Sequence, residues 1–231
     1  MIAALGWGAL AASSLVIGAA LSFARSWSPR QVGAVLAFGA GALISAVSFE
    51  LAEEGLAIGG AGVTGIGLGA GALTYFGLDS LIERRASGEG GTGLALGAFL
   101  DGIPEQLVLG INVAAGGGVG VALLVAIFVS NLPESLGSAA GMRKSGTSRG
   151  AILGLWVGVA LICTLATIAG YLVADGASGN FKAAIDGFAA GALLVMLIDS
   201  MIPEAREDAG RPAGLITVLG FALAAGLSSL S

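Results

Sequence analysis

The chain has 231 residues, of which 56% are hydrophobic and only 11% are charged, and its mean hydropathy is +0.95. Soluble domains have about 25% charged residues, so this composition argues against a soluble protein and indicates one that is embedded in a lipid bilayer. The net charge of −5 comes without a basic patch, so we expect no nucleic-acid partner.

Apolar segments follow one another along the whole chain, and each has about the ~20 residues that a membrane-spanning helix needs. They predict an all-α fold, a polytopic membrane bundle of eight transmembrane helices that forms one transporter domain over residues 1–231. Because small residues let helices approach closely in lipid, the 41 glycines indicate helix contacts and permit a homodimer. The predicted helices cover residues 2–24, 31–51, 61–82, 92–113, 119–141, 151–174, 183–205 and 212–230.

The basic residues predict how this bundle is oriented. In membrane proteins, lysine and arginine concentrate in cytoplasmic loops. In this chain, nine of the ten lysines and arginines lie in the loops after predicted helices 1, 3, 5 and 7. The loop after helix 6 holds only Lys182, and the loops after helices 2 and 4 hold no basic residue. We therefore expect an integral protein of the cytoplasmic (inner) membrane with its N- and C-termini outside. The basic residues on the predicted cytoplasmic side are Arg25, Arg30, Arg84, Arg85, Arg143, Lys144, Arg149, Arg206 and Arg211.

Acidic side chains recur inside the predicted spans. A charge in hydrocarbon costs at least about 2.5 kcal/mol, so such groups usually face a protein interior and mark a pathway. The predicted pathway has its outer mouth at the end of helix 2 and its cytoplasmic mouth at the ends of helices 3 and 7. Its residues are Glu50, Glu53, Glu54, Asp79, Asp199, Ser200 and Glu204.

Helices 4 and 5 each carry a Pro-Glu pair with an oxygen-bearing side chain four residues before the glutamate. Asp101 and Glu105 share one helix face, as do Ser130 and Glu134, because residues four apart are neighbours on a helix. Each proline removes a backbone donor and frees a carbonyl one turn earlier. Together with Asn131 these oxygens would suit a hard or borderline cation. The alternative is that the prolines only kink the helices while the carboxylates bond hydroxyls or amides.

The acidic motifs also have an internal symmetry. The stretch Glu50–Glu54 of helix 2 resembles Asp199–Glu204 of helix 7, and the two Pro-Glu motifs of helices 4 and 5 resemble each other. With eight spans, the helices of each pair run in opposite directions. This pattern is typical of the inverted repeats from which many secondary transporters are built.

These motifs resemble those of the ZIP family of divalent-metal transporters, which have eight helices and both termini outside. The resemblance matches Glu105 and Glu134 to the two glutamates that bridge the family's metal ions. It puts Asp101 and Ser130 where the family has histidines, Gly102 where it has asparagine, and Asn131 where it has an acidic residue. The resemblance therefore implies a metal site formed by Asp101, Glu105, Ser130, Asn131 and Glu134.

The chain contains no histidine and one cysteine, Cys163, which we predict to be a small buried side chain. Zinc favours nitrogen and sulfur ligands, so an oxygen-only site fits manganese, magnesium or ferrous iron at least as well as zinc. Without histidine an ordinary hydrolase triad is excluded, and we predict neither an enzyme nor a bound cofactor.

We therefore predict a secondary transporter that carries divalent metal cations of the zinc, iron and manganese class by alternating access, inward and without ATP. One alternative is a proton-coupled carrier of a non-metal solute, in which the carboxylates relay protons. The other is a ZIP-like membrane protein that has lost transport.

Overall fold

The computed structural model describes residues 1–86, 92–115 and 121–229, with side chains described except at 82–86, 92–101 and 121–122. In these ranges the chain forms helices and turns and no strand. Two short π-helical segments, Val47–Ala52 and Leu197–Met201, join α2 to α3 and α7 to α8. The α-helices are α1 (Ile2–Leu21), α2 (Pro29–Ala46), α3 (Glu53–Ala86), α4 (Thr92–Ala114), α5 (Val121–Lys144), α6 (Arg149–Ala174), α7 (Gly179–Met196), α8 (Ile202–Ala209) and α9 (Ala213–Ser228).

Five helical stretches of the described chain are long and apolar enough to cross a membrane. α9 is apolar but shorter, and α4 is not among the five, because its first ten side chains are not described. These helices make the protein an integral membrane protein by length and composition. The five stretches are Ile2–Leu21, Pro29–Leu81, Leu123–Lys144, Arg149–Ala174 and Gly179–Ala209.

The stretch Pro29–Leu81 turns back on itself at Gly60. Its 53 residues would form a helix about 80 Å long, against a hydrocarbon core of about 30 Å. Gly60 has φ 71° and ψ 175°, a backbone conformation that residues other than glycine rarely adopt. A methyl group on Gly55 would lie 3.0 Å from Cγ2 of Thr64, although nine residues of straight helix would separate them by about 13 Å. One glycine thus replaces the nine-residue connection that we predicted between helices 2 and 3.

The helices depart from regular α geometry at places that the sequence did not indicate. α4 and α5 remain helical through Pro104 and Pro133. The irregular turns are the two π segments, which contain Glu50 and Asp199. A π segment widens a helix by one residue and is often found at functional sites. The acidic positions of predicted helices 2 and 7 therefore coincide with the two irregular turns.

Small residues bring pairs of helices into direct backbone contact. Gly71 of α3 lies against the Phe188 backbone of α7, and Gly220 of α9 lies against the Phe38 backbone of α2. Gly170 of α6 lies in the same way against α4. Without a hydrophobic force between helices in lipid, such close packing is the main source of association. The main packed pairs are α3 with α7, α2 with α9, α4 with α6, and α1 with both α5 and α6.

Candidate functional site

The carboxylate of Glu105 is the best-defined polar group of the interior. It lies on α4, is 1% exposed, and accepts a hydrogen bond on each oxygen from α5. The Ser130 hydroxyl donates to Oε1 at 2.8 Å, and the Asn131 side-chain amide donates to Oε2 at 2.8 Å. Charge-assisted bonds of this kind are strong and fix the position of the carboxylate. The structure thus brings together Glu105, Ser130 and Asn131 of the predicted site.

The side chain of Asn131 has only one orientation that satisfies its neighbours. Its Nδ2 donates both to Glu105 and to the carbonyl of Ile127, at 2.8 and 3.0 Å, and two acceptors require the nitrogen on that side. The carbonyl oxygen Oδ1 therefore faces the other way, and it is buried with no hydrogen-bond partner. A buried acceptor without a partner costs about 1–3 kcal/mol, so this oxygen is positioned to accept a cation or a donor.

Gly102 lies close to this oxygen and to α6. A methyl group on Gly102 would lie 3.6 Å from Asn131 Oδ1 and 3.1 Å from Cys163 Sγ, which projects from α6. Cys163 is fully buried, as predicted. Three helices therefore supply carboxylate, amide and thiol groups to one region.

Glu134 lies on the same helix as Ser130 and Asn131 and is 9% exposed. One turn further along α5, the hydroxyl of Ser138 is buried and has no hydrogen-bond partner. Helix α2 closes this side, because a methyl group on Gly39 would lie 3.0 Å from the Ser130 Cα. The polar residues of α5 therefore form a buried row that continues toward the end of the helix that bears Arg143 and Lys144.

The predicted ligand set is only partly visible. Asp101 belongs to α4, but its side chain lies outside the described residues. Among the described side chains, no three from Asp, Glu, Cys and His are close enough to hold a metal ion. The oxygen and sulfur groups around Gly102 would therefore have to approach one another before they could bind a cation together.

A polar line leads from Glu105 toward the Gly60 turn. Asn112 lies seven residues further along α4, two turns or about 10 Å away on the same face. Its Nδ2 donates to Oε2 of Glu50 at 3.5 Å, which joins α4 to the first π segment. Glu54 follows one turn after Glu50. These side chains place polar groups at intervals of about 6–10 Å between the buried site and the Gly60 end.

The carboxylate of Glu54 forms an ion pair with Lys182, a residue that the sequence predicts to lie in a loop. In the structure Lys182 lies in α7, where it also pairs with Asp186 at 3.2 Å. Asp186 is only 1% exposed, while the side chain of Glu54 is 40% exposed. The Glu54 carboxylate is thus part of a charged cluster that joins the start of α3 to α7.

The remaining predicted pathway residues are nearer the surface. Glu53, Asp199 and Glu204 are exposed, and Asp79 and Ser200 are partly buried. Their assignment to a pathway stays a prediction.

A large apolar cavity lies elsewhere. It has a volume of about 640 Å³ between α3, α4, α6 and α7, and its accessible lining is entirely apolar. Although Thr74 and Tyr75 contribute to its wall, it offers no oxygen ligands and is not a cation site.

Three groups in the interior were missed or undervalued from the sequence. The first is the ion pair of Asp186 with Lys182. The second is Gln106, whose side-chain Oε1 accepts a hydrogen bond from the Thr167 hydroxyl at 2.5 Å. The third is Cys163, which lies beside Gly102. The spacing of Lys182 and Asp186, four residues apart, could have indicated an ion pair on one helix face. The other two depend on contacts between helices that are distant in sequence, and no local pattern signals them.

No family model matches the chain. A curated protein of Arabidopsis thaliana, named "Putative zinc transporter At3g08650", is 28% identical to it over 211 residues. The match covers 86% of this chain but 34% of that protein, so the chain spans about a third of the relative's length. The similarity supports metal transport at a coarse level and, weakly, a function other than catalysis.

Proposed function

We propose that the protein is a secondary transporter of divalent metal cations. The observation that carries the proposal is the Glu105 carboxylate, buried between two long helices and held by Ser130 and Asn131. Charged groups at membrane depth are costly and usually mark the path of an ion or substrate. The coarse similarity to a protein named as a zinc transporter points to the same function.

The chemistry of the site favours a cation. Glu105 and Glu134 bring two buried carboxylates to neighbouring helices, and a cation between them would balance both charges. Each oxygen of Glu105 accepts one of the two bonds from α5, so the carboxylate is held between the two helices. Carboxylate and amide oxygens suit manganese and ferrous iron. Zinc also binds carboxylate oxygens, usually in sites that include nitrogen or sulfur ligands.

The proposed architecture has eight spans related by an inverted repeat. The spans are α1, the helix from Pro29 to the Gly60 turn, the rest of α3, α4, α5, α6, α7 with α8, and α9. In the proposed repeat, each helix of one half has an equivalent in the other half: α1 corresponds to α6, α2 to α7, α4 to α5, and the part of α3 after Gly60 to α9. Under this exchange the packed pair α3–α7 corresponds to α9–α2, and the pair α1–α5 corresponds to α6–α4. The π segments, one after α2 and one after α7, occupy equivalent places.

The proposed route follows from this arrangement. Cations would enter near Glu50 and Glu54 at the Gly60 end, bind beside Glu105 and Glu134, and leave on the side of Asp199, Ser200 and Glu204. Both termini would lie outside the cytoplasmic membrane, and transport would be inward by alternating access without ATP. The homodimer stays a prediction.

Metal binding by the purified protein tests the proposal. We expect zinc or manganese to raise the unfolding temperature of the wild-type protein, because a ligand that binds only the folded state stabilises it. Glu105→Gln or Glu134→Gln should abolish this rise while the protein remains folded. Asp175→Asn, the same change at an exposed position, is the matched control and should keep it. An unchanged rise in both site variants would contradict the proposal.

A further inference from the structure

We infer that the shared end of α1, α5 and α6 binds the phosphate-bearing headgroup of an anionic membrane phospholipid. The binding surface, which we call the basic patch, combines exposed basic side chains with two aromatic rings. The inference concerns a partner of the protein and does not depend on the transport function. The basic residues of the patch are Arg25, Arg143, Lys144 and Arg149, and its rings are those of Phe23 and Trp27.

Phe23 brings the ends of two other helices to the end of α1. The guanidinium carbon of Arg143, in the last turn of α5, lies 5.9 Å from the centre of the Phe23 ring. That of Arg149, the first residue of α6, lies 5.1 Å from the same centre. The ring itself packs against a core of side chains from α1, α5 and α6, which holds it in place. Two flexible, exposed cations beside one fixed ring are close enough for a single headgroup to contact both.

The loop after α1 adds a third arginine to the same helix end. Trp27 Nε1 donates to the carbonyl of Leu21 at 3.1 Å, so the loop folds back over the end of α1. The guanidinium carbon of Arg25 lies 3.8 Å from the centre of the Trp27 ring. The next carbonyl along the chain, that of Ser22, accepts from Nη1 of Arg143 at 2.6 Å. Adjacent carbonyls therefore hold Trp27 and Arg143 at one place.

No acidic side chain balances the charge of the basic patch. Residues 22–28 and 141–150 contain four basic residues and no Asp or Glu. Among the side chains that the structure describes, none forms a salt bridge with any of these four. Neighbouring positive charges repel one another, and an anion between them would relieve the repulsion. The patch therefore favours a negatively charged partner.

The end of α8 has a different balance of charge. The segment 202–212 holds Arg206 and Arg211 together with Glu204, Glu207 and Asp208, so its charges nearly cancel. The positive-inside rule predicts basic residues at both places. It does not explain why carboxylates accompany them at the end of α8 and are missing from the basic patch.

The position of the patch identifies the partner as a lipid. Its three helices are all long and apolar enough to cross a membrane, so their shared end lies where the lipid headgroups begin. Tryptophan is enriched at this level of the bilayer, and basic clusters beside membrane spans attract anionic lipids. Arginine also matches phosphate geometry, because two of its N–H groups can bind two oxygens at once. The sequence shows no basic patch, because these residues come from two loops that the packing of α1 against α5 and α6 brings together.

Thermal unfolding of the detergent-purified full chain with added phospholipid tests this inference. We expect phosphatidylglycerol to raise the unfolding temperature, and phosphatidylcholine with the same acyl chains to raise it far less, because only phosphatidylglycerol carries a net negative charge. In Arg143→Gln combined with Arg149→Gln, the apparent affinity for phosphatidylglycerol should fall by about 20-fold, since each basic residue contributes about fivefold. The matched control, Arg206→Gln combined with Arg211→Gln, removes the same charge at exposed positions and should keep the wild-type affinity.

Unfolding of each variant without lipid checks that it is folded. Arg25→Gln combined with Arg149→Gln is the second test pair and keeps the bond from Arg143 to Ser22. Equal losses of affinity in the test and control pairs would overturn the inference, because net charge alone would then attract the lipid. An equal rise with phosphatidylcholine would also overturn it, because the headgroup would then not be recognised.

Glycerol 3-phosphate, a soluble fragment of the headgroup, distinguishes a lipid from a free phosphate compound. We expect it to leave the unfolding temperature unchanged at the concentrations at which phosphatidylglycerol acts. A rise as large as that with phosphatidylglycerol would make the patch a site for a soluble anion and would contradict the assignment to lipid. None of these outcomes bears on divalent-metal binding, so the proposed transport function is tested separately.

Discussion

Replacing Lys182 with methionine should destabilise the protein strongly. The ammonium group pairs with Asp186, which is 1% exposed, at 3.2 Å, so its removal leaves a buried carboxylate without its counter-ion. Breaking a buried pair in this way costs about 3–5 kcal/mol. The pair with Glu54 adds little, about 1 kcal/mol at most, because the Glu54 side chain is 40% exposed and screened by solvent.

These magnitudes predict an order of stability that thermal unfolding in detergent can measure. A loss of 3–5 kcal/mol corresponds to a fall in unfolding temperature of roughly 10 °C for a chain of this size. Glu54→Gln should lower it by about 2–4 °C at most. Lys182→Met combined with Asp186→Asn should recover most of the loss, because the uncompensated charge is then gone.

Lys144→Met is the matched control, since Lys144 is exposed at the end of α5. It should change stability by no more than about 0.5 kcal/mol. The reasoning is refuted if Lys182→Met unfolds within 2 °C of the wild type. It is also refuted if Glu54→Gln destabilises the protein as much as Lys182→Met does, because the buried Asp186 would then not be the cause.

Two further predictions concern the packing of α4 against α6 and the topology. Gly102→Ala should lower the unfolding temperature, because the new methyl group would lie only 3.1 Å from Cys163 Sγ and overpacking of this kind costs about 1–3 kcal/mol. Gly154→Ala on α6, with nothing within 4 Å, should unfold like the wild type, and equal unfolding temperatures of the two variants would contradict the close contact at Gly102. For the topology, Glu53→Cys at an exposed position should react with a membrane-impermeant thiol reagent added to intact cells. Glu207→Cys should react only after permeabilisation, because the positive-inside rule puts the end of α8 in the cytoplasm. The reverse labelling would invert the proposed orientation.

Much of the helical arrangement could be predicted because it depends on local properties of the sequence. Runs of apolar residues predict spans, and the predicted ends of helix 4, 92–113, agree closely with the observed helix Thr92–Ala114. The expected connection between helices 2 and 3 is shorter in the structure, because Gly60 reverses the chain through its positive φ alone. Many other glycines of this chain lie in regular helix, so the sequence does not distinguish the one that turns.

The candidate site was predictable to the extent that helix spacing determines it. Glu105, Ser130 and Asn131 were expected on facing helices, and the hydrogen bonds join them. The sequence did not reveal that the Asn131 amide would turn its oxygen away from Glu105, nor that Cys163 would lie beside Gly102. Both depend on how three helices pack, which the order of residues within each helix does not specify.

The prolines predict freed carbonyls near Leu100 and Val129, and their role as ligands stays a prediction. Around Pro133, the carbonyl of Ile127 accepts from the Ser130 and Asn131 side chains, and that of Asn131 accepts from Ser135. Side chains thus satisfy backbone oxygens around Pro133. The helical irregularities occur instead at the two π segments, where no proline is present.

Uptake of zinc and manganese into proteoliposomes that contain the purified full chain tests the central claim most directly. The account predicts that wild-type protein and Asp175→Asn carry at least one of the two metals down its gradient without ATP. It also predicts that Glu105→Gln reduces this uptake to the level of protein-free vesicles while the variant still inserts and folds. Uptake by Glu105→Gln at the wild-type rate, or no uptake of any divalent metal by the folded wild type, would contradict it.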